Sequence, residues 1–177
     1  MVSFTQMERR ASLGLASVFS LRMFGLFVIL PVIALYANNM PGGESATLIG
    51  LAVGVYGLTQ AIFQIPLGRL SDFWGRKRTI YLGLVIFIIG SFLAAIADSL
   101  LWLCLGRAIQ GAGAVSSAVI ALNADLTRDE VRTKSMAIIG VTIGLTFILS
   151  IVLGPVLDSI VGLPGIFLIT ALLTPVA

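Results

Sequence analysis

The sequence predicts an all-α membrane protein of six transmembrane helices, arranged as an inverted three-plus-three repeat. Three observations lead there. First, 58% of the 177 residues are hydrophobic and 11% are charged, whereas about 25% of a soluble domain is charged. A soluble core of this size could not absorb so much apolar surface, so lipid must serve as part of the solvent. Second, apolar runs fall at 12–36, 46–70, 79–97, 100–122, 135–157 and 161–177, each near the roughly 20 residues a spanning helix needs. Third, the basic residues alternate in place between these runs. Arg9 and Arg10 precede the first, Arg69, Arg76, Lys77 and Arg78 follow the second, and Arg128, Arg132 and Lys134 follow the fourth. The other three connections, from Asn38 to Ser45, around Asp98 and from Asp158 to Pro164, carry none. The excess of Lys and Arg in cytoplasmic loops then puts the N-terminus in the cytoplasm.

The first run, 12–36, is too long for the apolar region of a signal peptide, about 7–15 residues, and it contains Arg22. It is therefore expected to be retained. Arg22 lies roughly 15 Å into its span, too deep to reach water easily, which calls for a water-filled cavity or a polar partner within the bundle. The second run, 46–70, carries Tyr56, Gln60 and Gln64 at i, i+4 and i+8. This polar face must turn inward, as glue between helices or as the lining of a cavity. Gly50, Gly54 and Gly57 on the same run, and Gly106, Gly111 and Gly113 on the fourth, offer small surfaces for close packing.

Between the second and third runs lies a cationic bridge, Arg69-Leu70-Ser71-Asp72-Phe73-Trp74-Gly75-Arg76-Lys77-Arg78. Asp72 sits at the C-terminal, negative end of its helix, and Asp125 stands in the same position beyond the fourth. Arg76 is misplaced in the opposite sense, at a positive end. An Asp72–Arg76–Asp125 chain would cancel all three mismatches, yet Asp72 still lacks a helix N-terminus, the partner that best suits a carboxylate. Solvated loop charges worth little to stability are the alternative.

The third run, 79–97, has Ser91 as nearly its sole polar residue and should face lipid. The fourth, 100–122, carries Arg107 nearer its outer end, where snorkelling competes with a functional role, and Cys104, a lone thiol read as buried and inert. The fifth, 135–157, repeats the polar stripe with Thr142, Thr146 and Ser150. The sixth, 161–177, ends without a basic anchor, and the chain is expected to be part of a longer one.

Arg22 and Arg107 are 85 positions apart, while Gly25 and Gly111, Gly68 and Gly154, and Asp72 and Asp158 are each 86 apart. Three spans is an odd number, so the second copy enters from the opposite face, the inverted repeat of many transporter folds.

Several functions are disfavoured. Histidine is absent, which removes the commonest metal ligand and general base. No cluster of metal ligands or paired carboxylates appears at one depth, so no metal, no cofactor and no enzymatic activity is expected. The basic residues form short juxtamembrane clusters, not a stripe for nucleic acid.

Gly68-x-Leu70-Ser71-Asp72-x-x-Gly75-Arg76-Lys77-x-x-Ile80 resembles the signature loop of the major facilitator superfamily. Arg107-Ala-Ile-Gln110-Gly111 resembles its helix 4 motif, Gly144 followed by Gly154-Pro155 is similar to the helix 5 motif of its proton-coupled antiporters, and FGLFVILPV is similar to the helix 1 pattern of the drug–proton antiporter branch. The resemblance covers essentially the whole chain. It implies the N-terminal half of a twelve-helix fold in a bacterial cytoplasmic (inner) membrane, whose partners are lipid, protons, a small-molecule substrate and an absent C-terminal six-helix half. In that frame Gly68, Asp72, Gly75, Arg76, Lys77 and Asp125 form a gating latch. Arg22, Arg107, Gln110, Tyr56, Gln60 and Gln64 line the cavity or couple protons, and Gly111, Gly144, Gly154 and Pro155 pack helices. The implied function is proton-coupled efflux by alternating access. The rival is a six-helix module for assembly or sensing, or a fragment inactive alone.

The chain departs from the family pattern at Phe73, where a basic residue is usual, and at Asp158-Ser159, where further glycines are usual. No acid lies within a span, so the proton carrier is either outside this chain or Asp72 itself.

Overall fold

In a computed structural model, residues 3–37 and 39–176 are described. Asn38 and Ala177, which bound the first outer connection and the sixth predicted run, lie outside them. The described residues form seven α-helices and no strand: α1 (Gln6–Phe27), α2 (Leu30–Ala37), α3 (Ala46–Trp74), α4 (Arg76–Ala95), α5 (Leu100–Ala112), α6 (Ser116–Leu126) and α7 (Asp129–Leu173), with a final 3-10 turn at Thr174–Val176.

The helix boundaries follow local chemistry. Thr5 and Glu8 form a reciprocal capping box at the start of α1: Glu8 N donates to Thr5 Oγ1 (3.2 Å) and Thr5 N to Glu8 Oε2 (2.8 Å). The first run is not one helix. Pro31 has no N–H to give to the Phe27 carbonyl and its ring crowds that group, so α1 stops at Phe27 and α2 resumes at Leu30. The fourth run is likewise divided, between Ala112 and Ser116. In both cases the two helices continue as one stretch long and apolar enough to cross a membrane, 6–33 and 100–126, and five such stretches occur among the described residues.

The predicted ten-residue bridge after the second run is almost entirely helical. Residue Gly75 alone separates α3 from α4, with φ 103° and ψ 143°, a backbone conformation that side chains strongly disfavour.

An unbroken helix of the 45 residues of α7 would extend to roughly 67 Å, more than twice a bilayer's apolar thickness. Instead α7 is two helical arms divided at Gly162 (φ 66°, ψ 174°), and Pro164 follows the break. The arms fold back on each other. Near the start of α7, Ser135 Oγ lies 2.6 Å from Ser12 Oγ on α1. Beyond its end, Pro175 lines a cavity of about 500 Å³ with Arg10, Gly14 and Lys77. Both ends therefore reach the end of the molecule that carries the basic residues.

The third run does not simply face lipid. One side of α4, including Tyr81, Val85 and Ile89, is exposed, but Gly83, Phe87, Gly90, Ser91 and Ala94 are buried. A Cβ added at Gly90 would lie 2.6 Å from Gln110 Cα, and one at Gly106 2.6 Å from Ala94 N. Glycine thus allows α4 and α5 to touch backbone to backbone. Hydropathy alone missed this, because the signal is the absence of side chains. Two apolar clusters fill the bundle: Val28, Ile33, Leu103 and Phe167 at the outer end, and Leu15, Phe19, Leu84 and Val119 toward the cationic end.

Candidate functional site

Five helices bring a polar cluster into the apolar interior. Arg22 on α1 and Arg107 on α5 are 2% and 0% exposed. The Arg107 guanidinium lies over the Tyr56 ring, 4.8 Å from its centroid, and Arg22 is 6.0 Å from the same ring and from that of Phe87. Arg107 Nη1 donates to Gln110 Oε1 (2.9 Å) and Nε to the Ala52 carbonyl (3.4 Å). Gln110 Nε2 in turn donates to Ser91 Oγ (2.8 Å), whose hydroxyl donates to the Phe87 carbonyl (2.8 Å). Arg22 makes two long bonds, to Gln60 Oε1 (3.4 Å) and Ser116 Oγ (3.5 Å).

Arg22, Tyr56, Gln60, Arg107 and Gln110 are therefore neighbours. Gln64 is half-buried one turn beyond Gln60 on α3, and its backbone carbonyl accepts from Ser117 Oγ (3.2 Å). Ser91 and Ser116 belong to the cluster as well. Sequence reasoning noted Ser91 only as the exception in a run expected to face lipid and passed over Ser116, because a lone serine in an apolar run carries no periodic signal. The second polar stripe behaves differently: Thr142 and Thr146 donate to carbonyls of their own helix, so they do not bind helix to helix.

A second constellation lies at the basic end. Arg76, the first residue of α4, bridges two acids: Nη1 pairs with Asp72 on the last turn of α3, and Nε reaches Asp125 Oδ2 on α6 at 3.3 Å. Nη1 also donates to Ser71 Oγ (2.7 Å). The Asp72 and Asp125 side chains are more than half exposed, so the bridge adds little stability and remains open to other partners. Gly68 sits against Ser117 on α6, Gly75 provides the turn already described, and Lys77 lines the cavity beside Arg10.

Beside this bridge is an ion pair that the sequence reading did not single out. Arg128, just before α7, donates through Nε to Glu8 Oε1 (2.8 Å) and through Nη2 to Glu8 Oε2 (3.1 Å), and its backbone N–H also reaches Oε1 (3.2 Å). The Glu8 hydrogen bonds hold the Arg128 guanidinium above its ordinary pKa. The available signal was the capping-box spacing of Thr5 and Glu8.

Among the packing glycines, Gly111 lies against the Tyr56 carbonyl group. A Cβ at Gly154, which precedes the exposed Pro155, would stand 2.7 Å from the Val28 carbonyl oxygen. A Cβ at Gly144 would meet nothing within 4 Å among the described residues, and the same holds at Gly50, Gly54, Gly57 and Gly140.

Residues 15–177 match the sequence profile of the Major Facilitator Superfamily. The chain belongs to that superfamily. The inner membrane transport protein YajR of Escherichia coli (strain K12) is 53% identical over 166 residues, 94% of this chain and 36% of that protein. The tetracycline resistance protein, class H, of Pasteurella multocida is 32% identical over 140 residues, 78% of this chain and 34% of that protein. Multidrug resistance protein 3 of Bacillus subtilis (strain 168) is 43% identical over 96 residues, 53% of this chain and 18% of that protein. The chain spans 36–43% of the length of four curated relatives that it matches almost end to end. Of the two constellations, the arginine cluster is buried in the bundle interior and the Arg76 bridge is exposed at its basic end.

Proposed function

We propose that this chain forms one six-helix half of a secondary active transporter, which exports a small molecule in exchange for protons across a bacterial inner membrane. The half rocks against a second one about a site near the bilayer midplane. One observation carries this reading. The faces of α3 and of the first arm of α7 hold Gly50, Gly54, Gly57, Gly140 and Gly144, and among the described residues nothing lies within 4 Å of where a Cβ would sit at any of them. Small-residue faces suit close helix contact more than lipid, so they fit a second helical body.

The folding back at Gly162 supports six crossings. The inverted repeat draws support from reciprocal packing: Gly68 of α3 sits against α6, and its counterpart Gly154 of α7 against the end of α1. In this mechanism Arg22, Tyr56, Gln60, Gln64, Arg107 and Gln110 line the transport path, and the Asp72–Arg76–Asp125 bridge biases the two access states. The names of the relatives, among them tetracycline and multidrug resistance proteins, favour export.

The test is reconstitution of the protein into liposomes with an imposed pH gradient, an internal pH dye and a panel of lipophilic drugs. Drug-dependent collapse of the gradient is expected, falling by roughly tenfold or more in Arg107→Ala. A gradient that no compound discharges, or wild-type rates in that variant, would remove the reading.

A further inference from the structure

The two guanidiniums at the Tyr56 ring share an electrostatic problem that their own surroundings do not solve. Arginine stays protonated in proteins, so neither group can escape burial by losing its charge. Among the described residues, no acid forms an ion pair with Arg22 or Arg107; the acids that are paired with arginine meet Arg76, Arg128 and Arg132. The acceptors they do find are neutral: a backbone carbonyl, two amide oxygens and one hydroxyl. Three of those four bonds are 3.4–3.5 Å long, at the weak limit of hydrogen bonding.

Among the described residues, six buried side-chain polar atoms lack a partner, and three of them are Arg22 Nε, Arg107 Nη2 and Tyr56 Oη. All three belong to the side chains gathered at one aromatic ring, and Tyr56 and Arg107 are fully buried. Arginine offers donors only, and the phenol hydroxyl can donate as well. A buried group with excess positive charge and unused donors is completed by an anion. An acceptor carrying one negative charge would take charge-assisted bonds from the free N–H and O–H groups and offset part of the burial cost. Gln60, half-buried on α3 and in contact with Arg22, marks the side from which the exposed face of α3 gives access.

We propose that Arg22, Arg107 and Tyr56 form a buried site for a single monovalent anion, either a halide ion or the carboxylate of a transported molecule. The carboxylate source rests on the transport reading, and the halide source does not.

The experiment is direct binding to the purified protein in detergent, at constant ionic strength on a sulfate background. Chloride is followed by chlorine-35 NMR line width, and benzoate by the rise in melting temperature. Saturable binding of one of them is expected. Its affinity should fall about tenfold or more in Arg107→Gln and about threefold to tenfold in Tyr56→Phe. Tyr56→Phe retains the ring and so remains informative where the arginine variant does not fold. Saturation by chloride identifies the halide source, and saturation by benzoate alone identifies the carboxylate source. Lack of saturation with both, or equal affinity in wild type and Tyr56→Phe, overturns the site. Saturable binding without proton-driven transport leaves the site standing and removes the transport reading. Transport without saturable binding does the reverse.

Discussion

At the scale of single residues, what matters is whether a charge is shared with water. Asp72 and Asp125 are more than half exposed, so Asp72→Asn should change stability by less than about 1 kcal/mol. If the bridge biases the access states as proposed, the same change should shift the reactivity of single cysteines on the outward-facing side toward a membrane-impermeant maleimide. Unaltered labelling would remove the latch role. Glu8 differs: its carboxylate accepts from three donors on Arg128 and from Thr5. Glu8→Ala is expected to lower the melting temperature in detergent more than Asp129→Ala, whose carboxylate is 84% exposed beside Arg132. Arg22, Arg107 and the Tyr56–Gln60–Gln64 stripe stood out in the sequence, because a charge or a polar period inside an apolar run is conspicuous. Ser116 and the Glu8–Arg128 pair did not, and Ser91 was conspicuous without its role being legible, since their partners lie between 19 and 120 positions away.

At the scale of elements, two glycine mechanisms separate cleanly. Gly75 has open space where a Cβ would sit, so Gly75→Ala isolates the backbone cost of its unusual φ and ψ, about 1–3 kcal/mol. Gly90 has ordinary helical backbone, but its Cβ position is filled by Gln110. Gly90→Leu should therefore force α4 from α5 and reduce stability by more than Gly75→Ala, as read by thermal unfolding in detergent. An equal or smaller effect would show that the α4–α5 contact adapts. Hydropathy picked out apolar stretches that are helical in the structure, five of them long enough to cross a membrane among the described residues, because length and solvation dominate helix insertion. It did not locate the breaks at Pro31 and near Gly113, the one-residue link at Gly75, or the packed side of α4. Those depend on hydrogen-bond geometry and on space left by missing side chains, to which a hydropathy window is blind.

At the scale of the whole molecule, burial is uneven. The helices α1, α4, α5 and α6 supply most of the shared interior, whereas α3 and the first arm of α7 keep long uncovered faces, with Ile62, Ile65, Val141 and Val152 each more than half exposed. If a second helical body moves over these faces, cysteines placed at Gly54 and Gly144 in a Cys104→Ala background should gain or lose maleimide reactivity together when a pH gradient is imposed. In the parent protein the buried Cys104 should stay unreactive throughout. Labelling at Gly54 and Gly144 that ignores the gradient would count against rocking. The single-residue joint at Gly75 bears on this motion. Two rods of 29 and 20 residues meet at one amino acid, and Arg76 reaches across that elbow to Asp72. When one rod leans, the other must lean with it or the elbow must unlock, so a pull on the rim that carries the basic residues is carried to the depth of Arg107 without any long tether to absorb it.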